Sequence, residues 1–229
     1  MNNQITTIFF DIGQTLIDEW KFMEIFDIKF LEILNGYGAR IDFRNYVTLR
    51  NNIIKNRKIG NESIERLILQ VCRLTLPKNY ENLILEKIKP ELKIKKDCRL
   101  HKGVKETLEI LSQEYDLGII SNQEKESMKI LFEEKIHKYF KAIFFASEIK
   151  SKKPDKNVFL AAMHKIDVKE AKNCIMIGDR LDNDICPANR LGMKTIRFNN
   201  SLFRLQEPQE ICEISTYEIN HIKEIMDIL

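Results

Sequence analysis

Thr7-Ile8-Phe9-Phe10-Asp11-Ile12-Gly13-Gln14-Thr15-Leu16 begins with an apolar run and ends that run on a carboxylate. β-Branched and aromatic residues predict a buried strand over 7–10, and the glycine that follows predicts a turn. Asp11 is thereby presented where a strand breaks, the place at which open α/β sheets display their functional groups. Gly13, two residues on, brings a backbone carbonyl to the same turn but no side chain.

The rest of the chain supplies the context for such a strand. At 229 residues with 44% apolar composition, it can form one large domain or a core domain with an insertion. Thirty-seven basic against thirty-four acidic residues leave a net charge of +3, too balanced for a protein that binds nucleic acid through phosphate neutralisation. Anionic small molecules remain suitable partners. The five cysteines are odd in number and form no C-x-x-C pair, so neither a disulfide framework nor a zinc site is expected, and they read as thiols in a reducing compartment. No apolar run approaches the ~18 residues needed to span a bilayer, and no basic region followed by a sustained apolar stretch opens the chain. A cytoplasmic protein without a membrane partner is expected.

Further short apolar runs occur at 117–120, 142–145, 174–177 and 194–198. Their near-continuous apolar character suits parallel strands covered on both faces. Amphipathic helical patterns fill the intervals at 105–114, 124–134, 156–164 and 184–191. This alternation predicts an α/β fold, a doubly wound parallel sheet of Rossmann-like type, with ligands beyond the carboxyl ends of its strands. Residues 17–96 break the rhythm. They show no convincing strand but do show helical spacing, in Phe22, Ile25, Phe26, Phe30, Ile33 and Leu34 and again in Ile64, Leu67, Ile68, Val71 and Cys72. An all-helical insertion over 17–96 is expected, dividing a core made of 1–16 and 97–229. Gly36-Tyr37-Gly38 and Ile59-Gly60-Asn61 should break its helices, and Pro90 should end or kink the last one. A terminal helix is expected over 219–229.

The predicted strand ends carry, in order, Asp11-Ile12-Gly13-Gln14-Thr15, Ser121-Asn122, Lys153-Pro154-Asp155 and Gly178-Asp179-Arg180-Leu181-Asp182-Asn183-Asp184. Each motif alone is weak. Four in this order, each after an apolar run, make the chain resemble the haloacid dehalogenase-like hydrolase superfamily, over roughly 5–16 and 97–200, with the helical insertion resembling the cap of many members. The resemblance implies a magnesium-dependent phosphatase acting on a small phosphorylated compound. Asp11 would attack phosphorus and form an aspartyl phosphate. Magnesium would be held by Asp11, the Gly13 carbonyl, Asp179 and Asp184, the last directly or through water, all hard oxygen donors. Ser121, Asn122 and Thr15 would bind phosphate or the Asp11 loop, and Lys153 would offset the charge of Asp11 and phosphate. Asp182 is expected to face solvent or cap the next helix, and Lys150, Lys152 and Lys156 to form a solvated basic loop.

The chain departs from the family at Gly13, where most phosphatases carry a second aspartate that protonates the leaving oxygen. Such an acid/base group contributes about 10²- to 10⁴-fold, so slow hydrolysis of alkyl phosphates is expected. Asp18 and Glu19 are the nearest acids in sequence that could substitute. Two alternatives accompany this reading. One is a phosphate-responsive binding or regulatory module with negligible turnover. The other is phosphonate hydrolysis through a Schiff-base lysine of the insertion, for which Lys21, Lys29, Lys55 and Lys58 are available. A basic stretch, Lys93, Lys95, Lys96, Arg99 and Lys102, marks the second expected hinge.

Overall fold

β1 (Thr7–Phe10) is excluded from water along its whole length, because parallel strands pair with it on both sides. The computed structural model describes residues 4–56, 64–77, 80–93, 97–123, 128–145 and 151–229. Its neighbours are β4 (Asp116–Ser121) and β6 (Cys174–Gly178), and beyond them lie β5 (Ala142–Phe145), β7 (Lys194–Phe198) and β8 (Tyr217–Ile219). The order β5-β4-β1-β6-β7-β8 is parallel at every pairing. Successive crossovers leave β1 in opposite directions along the sheet, so the switch point falls at the carboxyl end of β1, where Asp11 stands.

The core follows from strand alternation. Phe9 packs with Ile120 and Phe144 against Val158, Phe159, Ala162, Met163 and Ile166 of α7 (Lys156–Ile166), a helix opened by the Asp155 carboxylate, which accepts from the Asn157 amide at 2.9 Å. Phe10, directed to the other face by the two-residue period, meets Phe140 edge-on at 6.2 Å. α5 (Val104–Leu111) buries Val104, Leu108 and Leu111, and α8 (Cys186–Leu191) packs on α7. Among the described residues, no helix is long and apolar enough to cross a membrane.

By contact density the chain divides into two compact units, Met1–Asp18 with Arg99–Arg204 and Pro208–Leu229, and Glu19–Cys98 with Leu205–Glu207. The second is helical: α1 (Trp20–Gly36), α2 (Phe43–Lys55), α3 (Ile64–Thr75) and α4 (Glu81–Lys93). Phe22, Phe26, Phe30 and Leu34 line its interior, as their helical spacing requires. Inside lies an ionic knot. The Tyr46 hydroxyl donates to Asp27 Oδ1 at 2.6 Å, and Arg50 Nη1 bonds Asp27 Oδ2. Burial outweighs these two donors and holds the Asp27 carboxyl above its ordinary range.

Several features depart from expectation. The terminal segment is not one helix: Tyr217–Ile219 extends the sheet, and a 3-10 helix follows over Ile222–Asp227. A three-residue edge strand with Tyr217 and Glu218 exposed carries no alternation to read. Ile17–Asp18 forms a short strand, β2, antiparallel to β3 (Arg99–Leu100). Pro90 does not end α4 but lies inside it, three residues before Lys93, because the missing N–H costs only one carbonyl partner, at Glu86. Ile59-Gly60-Asn61, Lys95, Lys96, Lys58, Lys150 and the start of the expected 124–134 helix lie outside the described residues, and the helix itself spans Met128–Glu133. Cys186 and Cys212 form a disulfide, contrary to the reading of isolated thiols. Their separation of 26 residues hides the pairing in sequence, and beside it Asn189 Nδ2 donates to the carbonyls of Cys212 and Ile214 at 2.8 and 2.9 Å.

Two stability tests follow from this packing. A Cβ at Gly118 would lie 2.6 Å from Ile166 Cδ1 and 2.8 Å from the Phe9 ring, so Gly118→Ala should lose about 1–3 kcal/mol by overpacking, measured as a lowered denaturation midpoint. Arg50→Met strands a buried carboxylate and should cost about 3–5 kcal/mol. Trp20, the single tryptophan, starts α1 and reports that loss by fluorescence in urea.

Candidate active site

The turn after β1 is held by a set of backbone bonds. Asp11 N donates to Ile177 O at 2.9 Å, the Ile12 carbonyl accepts from both Leu16 N and Ile17 N at 3.0 Å, and Gly13 bridges Ile17. Gln14 takes a left-handed conformation, φ +55°, that permits this tight return. The Asp11 carboxylate is thus fixed at the carboxyl end of the central strand.

Lys153 reaches it from the loop before α7. Its Nζ lies 2.7 Å from Asp11 Oδ1 and 2.6 Å from Asp184 Oδ1, with the side chain 2% exposed. The lysine backbone is gripped by Asn122, whose Oδ1 accepts from Lys153 N at 2.7 Å and whose Nδ2 donates to Lys153 O at 2.9 Å. The Lys153–Pro154 peptide is cis. Ser121, buried at the end of β4, accepts from Gln123 N at 3.1 Å, so its own proton is left for another acceptor. Lys152 and Lys156 are exposed, as expected of a solvated loop.

β6 delivers the other acids. After Gly178 the chain makes a single π-helical turn, Leu181–Ile185, that brings Asp184 back beneath the strand end. A Cβ at Gly178 would meet the Asp184 side chain at 2.4–2.6 Å, so only glycine admits this return. Asp184 Oδ2 accepts from Arg180 N at 3.1 Å. Asp182 is not a solvated acid: it receives Arg180 Nε and Nη2 at 3.0 and 2.6 Å, and the same guanidinium stacks on Phe203 at 4.6 Å. Carboxylate oxygens of Asp11, Asp179 and Asp184 lie within 4.8 Å of one another, all buried.

Burial, then the charges of Asp184 and Asp11, push the Asp179 carboxyl well above its ordinary range. Burial pushes Asp184 up to about 6, although Lys153 pulls it down. Burial alone would depress Lys153, but Asp11 and Asp184 override it and hold the ammonium above its usual value. With Arg180 neutralised by Asp182, one ammonium faces three carboxylates. Asp179 Oδ2 is buried without a hydrogen-bond partner among the described residues. An all-oxygen set with surplus negative charge and an orphaned acceptor fits a hard divalent cation such as magnesium.

The remaining candidates divide. Thr15 is buried, but its Oγ1 bonds nothing among the described residues, so it does not pair with the Asp11 loop. Asp18 is engaged by Arg99 at 3.2 Å, whereas Glu19 is buried in the helical unit. Lys21, Lys29 and Lys55 are exposed and paired with Asp97, Glu91 and Glu207, lacking the desolvation that activates a Schiff-base lysine. Sequence reasoning missed the clamp of Asn122 on Lys153, the Arg180–Asp182 pair and the bond from Leu202 N, after β7, to the Gln14 side chain.

A family model described as haloacid dehalogenase-like hydrolase matches residues 8–198. A glyceraldehyde 3-phosphate phosphatase from Methanocaldococcus jannaschii is 26% identical over 234 residues, covering 98% of this chain and 97% of that protein. One of the same name from Pyrococcus abyssi is 30% identical over 197 residues, covering 85% and 81%. A HAD-hydrolase structure from Bacillus subtilis, bound to magnesium, aligns over 99% of each chain with TM-score 0.68 and 22% identity.

Lys153→Met would leave three buried carboxylates with no cation. In metal-free buffer it should lower stability by about 3–5 kcal/mol. Calorimetric melting checks this, and an unchanged melt would show that the ammonium does not offset the acids.

Proposed function

This chain belongs to the haloacid dehalogenase-like hydrolase family, and we propose that it is a magnesium-dependent phosphatase acting through Asp11 on a small phosphorylated compound. The observation that carries the reading is the convergence of the Asp11, Asp179 and Asp184 carboxylates, within 4.8 Å, at the switch point of the sheet. Asp11, the Gly13 carbonyl, Asp179 and Asp184 would hold the ion. Bound there, magnesium supplies the positive charge that lets a carboxylate approach a phosphate dianion.

The chain's own groups do the rest. Asp11 attacks phosphorus, the phosphorus–oxygen bond to the leaving group breaks, and an aspartyl phosphate results. Water then attacks the phosphorus, releasing phosphate and restoring the carboxylate. Lys153 holds Asp11 in line and compensates its charge. The Ser121 hydroxyl, with its acceptor role filled by Gln123 N, donates to a phosphate oxygen, as does the backbone amide of Asn122, whose side chain is committed to Lys153. The helical unit serves as the cap that selects substrate.

Gly13 offers no proton to the leaving oxygen, and Asp18, bonded to Arg99, is not free to replace it. Leaving groups that depart without protonation, such as acyl or aryl phosphates, are therefore favoured over alkyl phosphates. Glyceraldehyde 3-phosphate, named for the archaeal relatives, is the first alkyl ester to test.

The test is a magnesium-supplemented screen of alkyl, aryl and acyl phosphates and phosphonates, with Asp11→Asn as the blank. Turnover should vanish in Asp11→Asn and, for alkyl phosphates, rise about 10²-fold or more in Gly13→Asp. Activity surviving in Asp11→Asn refutes the nucleophile. Unchanged turnover in Gly13→Asp refutes the missing-acid argument.

A further inference from the structure

The turn that carries Asp184, Leu181–Ile185, is π-helical, a geometry that is rare and recurs at functional sites. One carbonyl opens it. Arg180 O accepts from Asp184 N at 3.0 Å and from Ile185 N at 3.2 Å, and Cys186 N returns to Leu181 O. The amide of the same residue donates to Asp184 Oδ2 at 3.1 Å, which leaves Oδ1 for Lys153 at 2.6 Å. The direction of the Asp184 carboxylate therefore depends on where the Arg180 peptide groups lie.

The Arg180 side chain closes this turn. Its Nε and Nη2 donate to the two oxygens of Asp182 at 3.0 and 2.6 Å, a bidentate contact between residues two apart. Both side chains are withdrawn from water, 11% and 9% exposed. The guanidinium lies 4.6 Å over the ring of Phe203, which is itself buried. That ring is held in turn: Phe203 N donates to Ser201 Oγ at 3.0 Å, and Arg197 Nη2 donates to Phe203 O at 3.3 Å. A buried ion pair is a poor source of stability, since apolar side chains of like volume would fill the space at least as well. What it supplies is direction, because a planar fork fixes one end of the turn relative to the tip.

We propose that Arg180 and Asp182 form a positioning clamp for the cation site, seated on Phe203, which holds the π-turn in the shape that keeps Asp184 on the Arg180 amide and close to Asp11 and Asp179. The inference rests on the reading of Asp184 as a ligand. Groups that orient a metal-binding carboxylate change affinity by about 10- to 100-fold without touching the metal.

The experiment measures manganese binding by electron paramagnetic resonance to the full chain, together with metal-free melting. The proteins compared are wild type, Arg180→Lys, the double variant Arg180→Met with Asp182→Leu, and Asp184→Asn. The double variant exchanges an ion pair for apolar side chains, so it should melt at or above wild type yet bind manganese about tenfold more weakly or worse. Arg180→Lys keeps a charge for Asp182 but not the planar fork, and should bind between the two. Wild-type affinity in the double variant, with affinity lost in Asp184→Asn, overturns the clamp alone. Affinity that falls only in step with a lowered melting temperature also overturns it, leaving a purely structural contact. Wild-type affinity in Asp184→Asn overturns the ligand assignment beneath.

Discussion

The ammonium of Lys153, withdrawn from water and set 2.7 and 2.6 Å from the carboxylates of Asp11 and Asp184, is the contact on which the catalytic end of the sheet depends. Neither acid could be buried at so short a distance from the other without a cation between them. The lysine comes from the loop before α7, Asp11 from the end of β1 and Asp184 from the turn after β6, so one side chain joins three separate segments. The compensation is incomplete, since Asp179 adds a third carboxylate. A site built with surplus negative charge and an orphaned oxygen has a strong electrostatic preference for a divalent ion.

Holding these groups requires a frame that does not yield. The four residues of β1 are buried between parallel neighbours, and Gly118 is filled over by Ile166 and Phe9. At the strand ends, side chains take over from the ladder. Asn122 locks the backbone of Lys153, the Arg180 amide locks Asp184, and the Gly178 hydrogen leaves the gap that Asp184 fills. Each of these contacts restrains one of the charged groups of the site. The absence of a side chain at Gly13 stands out against this order. The turn there supplies a backbone carbonyl and no side chain.

Much of this could be read from residue type and spacing. Five of the six strands in the sheet announce themselves as apolar runs, because a strand covered on both faces has no polar side to interrupt it. The helical insertion shows in the spacing of Phe22, Phe26, Phe30 and Leu34. Asp11, Lys153, Asp179 and Asp184 lie at strand ends and stand out once those strands are placed. The sixth strand stayed hidden, since an edge strand of three residues buries too little to impose a pattern. Asp182 misled because its partner, Arg180, is two residues away and turned inward by Phe203, which comes from a distant loop.

What the sequence by itself determined was the parallel sheet and the strand-end positions of Asp11, Lys153, Asp179 and Asp184, because hydrophobic period and strand-end position are local properties. What only the tertiary structure decided was which groups meet. The Gln14 bond to Leu202 across 188 positions and the Cys186–Cys212 pairing leave no trace in spacing. They exist because parallel crossovers bring the carboxyl ends of β1, β6 and β7 side by side, a proximity set by the order of strands in the sheet rather than by their order in the chain.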